Sequence, residues 1–138
     1  MNRIYVYHLP IYQYRLGRAD QSSNILSLKK HYAEYYNGEK RILEFRKTIS
    51  EEKIGALEAI NNRLVEGITD LFVACFHIGK EETKNLYKEL SLECPELLKD
   101  SMKASDLLNL YAKTHGLAYP LIKAYLIHRG RKKAKTEI

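Results

Sequence analysis

The sequence predicts a mainly α protein with a small β contribution (α+β): a helical bundle around one long central helix, preceded by a short N-terminal β element. Three observations lead there. Over residues 51–78, Ile54, Leu57, Asn61, Leu64, Ile68, Leu71, Cys75 and Ile78 recur at steps of three and four, the period of a helix with one buried face. Beyond Gly79 the chain continues in shorter amphipathic segments, punctuated by Pro95, Ser105 and Gly116. At the N-terminal end, RIYVYHLPIYQYR alternates and is rich in Ile, Val and Tyr, as a strand is.

In chain order, Arg3, Tyr5 and Tyr7 share one face of that strand, and Ile4, Val6 and His8 the other. Pro10 confines it to an edge or a turn. LGRADQSSN reads as a loop, with Ser23 placed to cap a helix through about Tyr36 and Asn37-Gly38 placed to stop it. RILEFR, at 41–46, fits a third short strand. Ser50 then caps the long helix, with Glu51 and Glu52 in its first turn and Gly79 as its stop. Asn61 is the polar residue at an a-like position, of the kind that fixes register and oligomeric state. A homodimer through residues 51–78 rests on it, set against an intramolecular central helix. Val65 and Phe72 widen the stripe toward a bundle contact. Helices follow at roughly 81–91, after Pro95, from a Ser105 cap to Lys113, and from about Ala118 to His128. The organisation is one globular domain over 1–130 and a basic disordered tail over 131–138.

A chain of 138 residues and 16.1 kDa can bury a real core without a disulfide or metal. With 45% apolar and 29% charged residues, its composition is that of a folded protein and not a disordered one. No apolar run is long enough to span a membrane, and the N-terminus lacks the pattern of a secretory signal, so the expectation is a soluble cytoplasmic protein. Cys75 lies in the apolar LFVACFHIG and reads as a packed hydrophobe; Cys94, beside Pro95 at a helix start, is the better reactive thiol. Two thiols without C-x-x-C or H-x-x-x-H spacing give no zinc site, and no cofactor is expected.

Nothing in the residue spacing points to catalysis. His8, His31, His77, His115 and His128 are isolated, and Arg3 with His8 matches the R-x4-H of some helical ribonucleases only in a strand-like run. Phosphate-binding loops, G-x-S-x-G and G-x-G-x-x-G are lacking, and the protein reads as a non-enzyme.

Charge is segregated instead. Residues 1–49 carry nine Lys/Arg against four Asp/Glu, residues 50–111 seven against twelve, and residues 112–138 seven against one. Two basic ends flank an acidic middle, which suits a polyanion-binding surface if the ends meet on one face.

One constellation is motif-like. In LNLYAKTHGLAYPLIKAYLI, Ala112, Gly116 and Ile122 hold the spacing of a small residue, a turn glycine and an aliphatic plug. Ala112 lets two helices cross closely, Gly116 takes a left-handed turn, and Ile122 fills the gap between them. Tyr111, Leu117 and Tyr125 fall where such a motif packs apolar residues, and Pro120 falls in the first turn of the second helix. Over these roughly 20 residues the chain resembles a helix-turn-helix DNA-binding segment. That resemblance implies Tyr119 and Lys123 at base edges, and His128, Arg129, Arg131, Lys132 and Lys133 on phosphates. The second helix is also apolar nearly all round, the pattern of a helix buried in a core or an interface.

Seven of the eleven Tyr lie within the first 36 residues, among Arg3, Arg15, Arg18, Lys29 and Lys30. Tyr5, Tyr7, Tyr12 and Tyr14 suit a protein interface, or stacking on a single strand. The leading expectation is a small basic nucleic-acid-binding protein, with DNA ahead of RNA, of the kind that serves phages or plasmids as regulator or accessory factor. Its competitor is a protein-binding inhibitor or adaptor that uses the Tyr-rich N-terminal half and the apolar last helix, including on a nucleic-acid-loaded complex. Neither involves a membrane.

Overall fold

Tyr32, Tyr35, Tyr36, Ile42 and Leu43 keep one face toward the core, and this sets the first helix. In the computed structural model, which describes residues 29–136, α1 covers Tyr32–Lys47 and turns back through 48–53 into α2, Ile54–Ile78. α3 (Lys80–Glu93), α4 (Pro95–Ala104), α5 (Asp106–Lys113) and α6 (Tyr119–Thr136) follow. The described residues contain no strand, and the predicted N-terminal β element lies outside them.

Three expectations about this region are corrected. α1 runs unbroken through Asn37-Gly38, where a stop was expected, and absorbs 41–46, expected as a strand. The cause is tertiary: Leu43 is buried, and Glu39 and Arg46, polar residues, share its inward face because each finds a partner on α2. Ser50 does not cap α2. The Lys53 N–H donates to the Ser50 carbonyl at 3.0 Å, closing a turn, and the helix begins at Ile54.

α2 is the hub, packing against α1, α3, α4 and α6. Its buried side chains all lie at or after Leu64; before that point Leu57, Ile60 and Asn61 are half-buried, and α1 and α2 form a hairpin arm. Phe72 and Phe76 are fully buried, each stabilising the fold by about 1.5–3 kcal/mol. Around them Tyr87, Tyr111 and Tyr119 form an aromatic cluster with ring centroids 5.7–6.4 Å apart.

The expected punctuation explains the remaining joints. Gly79 is extended between α2 and α3, and the buried Thr83 hydroxyl donates to its carbonyl at 2.8 Å. Pro95 opens α4, where its missing N–H has no helical partner to lose. Ser105 caps α5 by accepting the Leu108 N–H at 3.3 Å. α6 is longer than expected: it continues as helix through Thr136, across the segment read as a disordered tail from 131.

Candidate functional site

The joint between α5 and α6 decides which side of α6 faces out. His115 and Gly116 both take positive φ, 50° and 83°, and the Gly116 N–H donates to the Tyr111 carbonyl at 2.9 Å. The Thr114 hydroxyl donates to the Leu110 carbonyl at 2.9 Å and accepts the Ala118 N–H at 3.1 Å. Ala112 is half-buried, Ile122 is buried, and Gly116 takes the left-handed conformation its place in the turn predicts.

The faces of α6 are divided differently from expectation. Tyr119, Ile122 and Leu126 point inward, and so does Ala118 in the turn just before the helix. Tyr119, expected at a base edge, is 7% exposed, and its hydroxyl donates to the Phe76 carbonyl at 3.2 Å; it has no free edge to offer a groove. Lys123 is half-buried, with its ammonium 6.0 Å from the centroid of the Tyr119 ring. Leu117 and Tyr125, expected to pack inward, are 83% and 51% exposed, and Leu121 between them is 71% exposed. The outward face of the first half of α6 is therefore apolar.

The second half is cationic. Beyond the buried Leu126, every residue from Ile127 to Lys132 is exposed. His128, Arg129, Arg131 and Lys132 lie on this exposed stretch, and Lys133 follows on the same helix. Arg129 and Arg131, two residues apart, sit about 200° apart around the helix, on opposite sides. Lys123 stands roughly 9 Å back along the axis from Arg129, so it does not join that group.

Lys29 and Lys123 both lie close enough to His77, at the end of α2, to hold its imidazole below the usual histidine range, after the larger effect of burial. Its Nε2 is buried with no hydrogen-bond partner among the described residues. Sequence reasoning did not single out Lys29 for this position, because only the tertiary path of the chain brings it to α2. Tyr5, Tyr7, Tyr12 and Tyr14 lie outside the described residues.

Other chemistry is sparse. Burial pushes the Cys75 thiol up to about 11, and burial also raises Cys94, so the helix start does not activate it as a nucleophile. Among the described residues no group of three His, Cys, Asp or Glu side chains is placed to hold a metal ion, and no helix is long and apolar enough to cross a membrane. Two apolar grooves open on the surface. One, of about 510 Å³, runs between α2, α5 and α6, with Val73, Leu110, Leu121 and Tyr125 in its walls and Arg129 at its rim. The other, of about 680 Å³, lies at the tip of the α1–α2 arm against Phe45, Ile49 and Ile60.

Compared with protein-family models, curated proteins and solved structures, the chain matches none.

Proposed function

We propose that the protein binds nucleic acid through the exposed basic end of α6, holding phosphates without reading bases. The observation that carries this reading is the exposure of all residues from Ile127 to Lys132, with His128, Arg129, Arg131 and Lys132 among them. Such a helix presents cations on opposite sides, and phosphate contacts of this kind supply affinity that is independent of sequence. The buried Tyr119 and the apolar outward face beside it supply no donor set for base edges. DNA is the first ligand to test, as a regulator or accessory factor would require.

Fluorescence anisotropy with duplex DNA, single-stranded DNA and RNA over a salt series tests this. The logarithm of the affinity should fall linearly with the logarithm of salt, with a slope of about −0.9 per phosphate contacted on duplex DNA. The triple variant R129E/R131E/K132E should lose that binding while keeping its helical content. Absence of salt-dependent binding to all three nucleic acids ends the reading.

A second reading, a protein-binding inhibitor or adaptor, is favoured by the tip of the α1–α2 arm, where Phe45 is 61% and Ile54 74% exposed beside the larger groove. Phe45→Glu should abolish capture of a protein partner without changing nucleic-acid affinity.

A further inference from the structure

We propose that the nucleic acid held by α6 is single-stranded, and that one of its unstacked bases enters the groove between α2, α5 and α6 and stacks on Tyr125; this rests on the nucleic-acid reading above. Tyr125 is exposed and stands in the wall of that groove with Val73, Leu110 and Leu121. Leu121, Tyr125, His128 and Lys132 follow one another along α6 at steps of four, three and four, so the apolar opening and the cations share one face of the helix. Arg129, at the rim, lies one turn beyond Tyr125, about 6 Å along the axis. A base on the tyrosine ring therefore keeps its own phosphate within reach of a guanidinium.

Duplex and single strand differ in what they offer this face. In a duplex the bases are paired and stacked, so phosphates alone reach the outside of α6, and Leu121, Tyr125 and the groove stay in water. A single strand presents unstacked bases. An aromatic ring beside cations is the combination that binds them: stacking on the ring tolerates any sequence, and the cations follow the backbone. The groove, of about 510 Å³, falls within the roughly 300–1,000 Å³ of small-ligand sites. Of the residues that line it two are charged, Asp106 and Arg129. That polarity suits a nucleotide, whose phosphate is drawn to Arg129 and repelled by Asp106, which leaves the apolar walls to the base. A wholly apolar occupant would use neither charge.

Fluorescence anisotropy of the full chain with oligomers of equal length tests this. Tyr125→Ala should weaken single-strand binding by about 5- to 150-fold, the usual worth of one stacked base, with the salt slope and the duplex affinity unchanged. Tyr125→Phe, which keeps the ring, should bind as the parent does. A single strand of abasic nucleotides keeps every phosphate and offers no base, and the parent chain should bind it more weakly than the normal strand by at least the same factor. Run in DNA and RNA versions, the strand identifies the source of the base. Salt-dependent binding that is equal for normal and abasic strands, or that is unchanged in Tyr125→Ala, overturns the proposal and leaves the phosphate reading standing. Absence of salt-dependent binding to every oligomer overturns both. If Tyr125→Ala does not fold, the abasic strand decides alone.

Discussion

The Arg46 guanidinium donates through its Nε to the side-chain oxygen of Asn61, joining the inner face of α1 to the inner face of α2. Asn61 interrupts an otherwise apolar stripe, and a polar residue there is explained by either a second copy of the helix or a neighbour within the chain. Arg46 is that neighbour. Asn61→Ala should lower stability by about 0.5–1.5 kcal/mol, the usual net worth of such a bond, measured by urea unfolding. Arg46→Ala should cost a comparable amount, and the double variant less than the two together, because they share one interaction. Sedimentation of Asn61→Ala should show the parent oligomeric state; a change would return Asn61 to a register-setting role.

Six residues further along α2, the space above Gly67 is filled by the Glu39 carboxylate, which accepts from Arg63 at 2.7 Å and leaves its Oε2 buried without a partner among the described residues. Gly in a helix interior costs about 1 kcal/mol relative to Ala. Gly67→Ala removes that cost but displaces the carboxylate, so its effect in the parent chain should be near zero. In a Glu39→Ala background the same substitution should stabilise by about 1 kcal/mol. A double-mutant cycle on unfolding free energies reads the difference, and a cycle without coupling would mean that Glu39 does not occupy that space.

How much of this was legible beforehand follows from the kind of signal each element carries. α2 keeps its apolar spacing unbroken through its packed half, and its neighbours are delimited by Gly79, Pro95, Ser105 and Gly116, residues whose local chemistry has few alternatives. The sequence of α1 misleads because Glu39 and Arg46 hold inward positions, and only partners on another helix make those positions tolerable. The extension of α6 past 131 follows no apolar pattern in the sequence; good intrinsic helix formers continue a helix already anchored by Leu126, and cations suit a helix C-terminus. The exchange of Tyr119 for Leu117 and Tyr125 has another origin. A helix apolar on nearly every side offers no contrast between inside and outside, and the left-handed turn at His115 and Gly116 sets the choice.

Acidification should weaken the fold in two separable steps. Burial, Lys29 and Lys123 hold the His77 imidazole below its ordinary value of 6.5, so the folded state favours the neutral ring. That contribution is complete above 6.5 and is lost as pH falls from 6.5 through the lower folded value. Glu89 is held below its ordinary 4.5 by hydrogen bonds from Lys40, at 2.7 Å, and from the Tyr36 hydroxyl, and its contribution is lost only below 4.5. Unfolding free energies across the acid range should show both steps. His77→Gln should flatten the upper one and leave the lower, and Glu89→Gln the reverse; a single step removed by neither variant would exclude both groups as its source.

The Tyr119 hydroxyl satisfies the Phe76 carbonyl in the last turn of α2, one of the groups a helix leaves without an internal partner. Tyr119→Phe keeps the ring, and with it the aromatic contact to Phe76 and the surface beneath Lys123, and removes only this bond. The variant should lose about 0.5–1.5 kcal/mol of stability and show unchanged nucleic-acid affinity at every salt concentration. Arg131→Ala should do the opposite: it leaves stability within roughly 0.5 kcal/mol of the parent, as expected of an exposed position, and makes the salt dependence on duplex DNA shallower by about 0.9. These two variants separate the inner face of α6, which builds the fold, from its exposed basic end, to which the proposal assigns the phosphates. Loss of nucleic-acid affinity in Tyr119→Phe with an unchanged Arg131→Ala would invert that assignment and restore a base-reading role to the start of the helix.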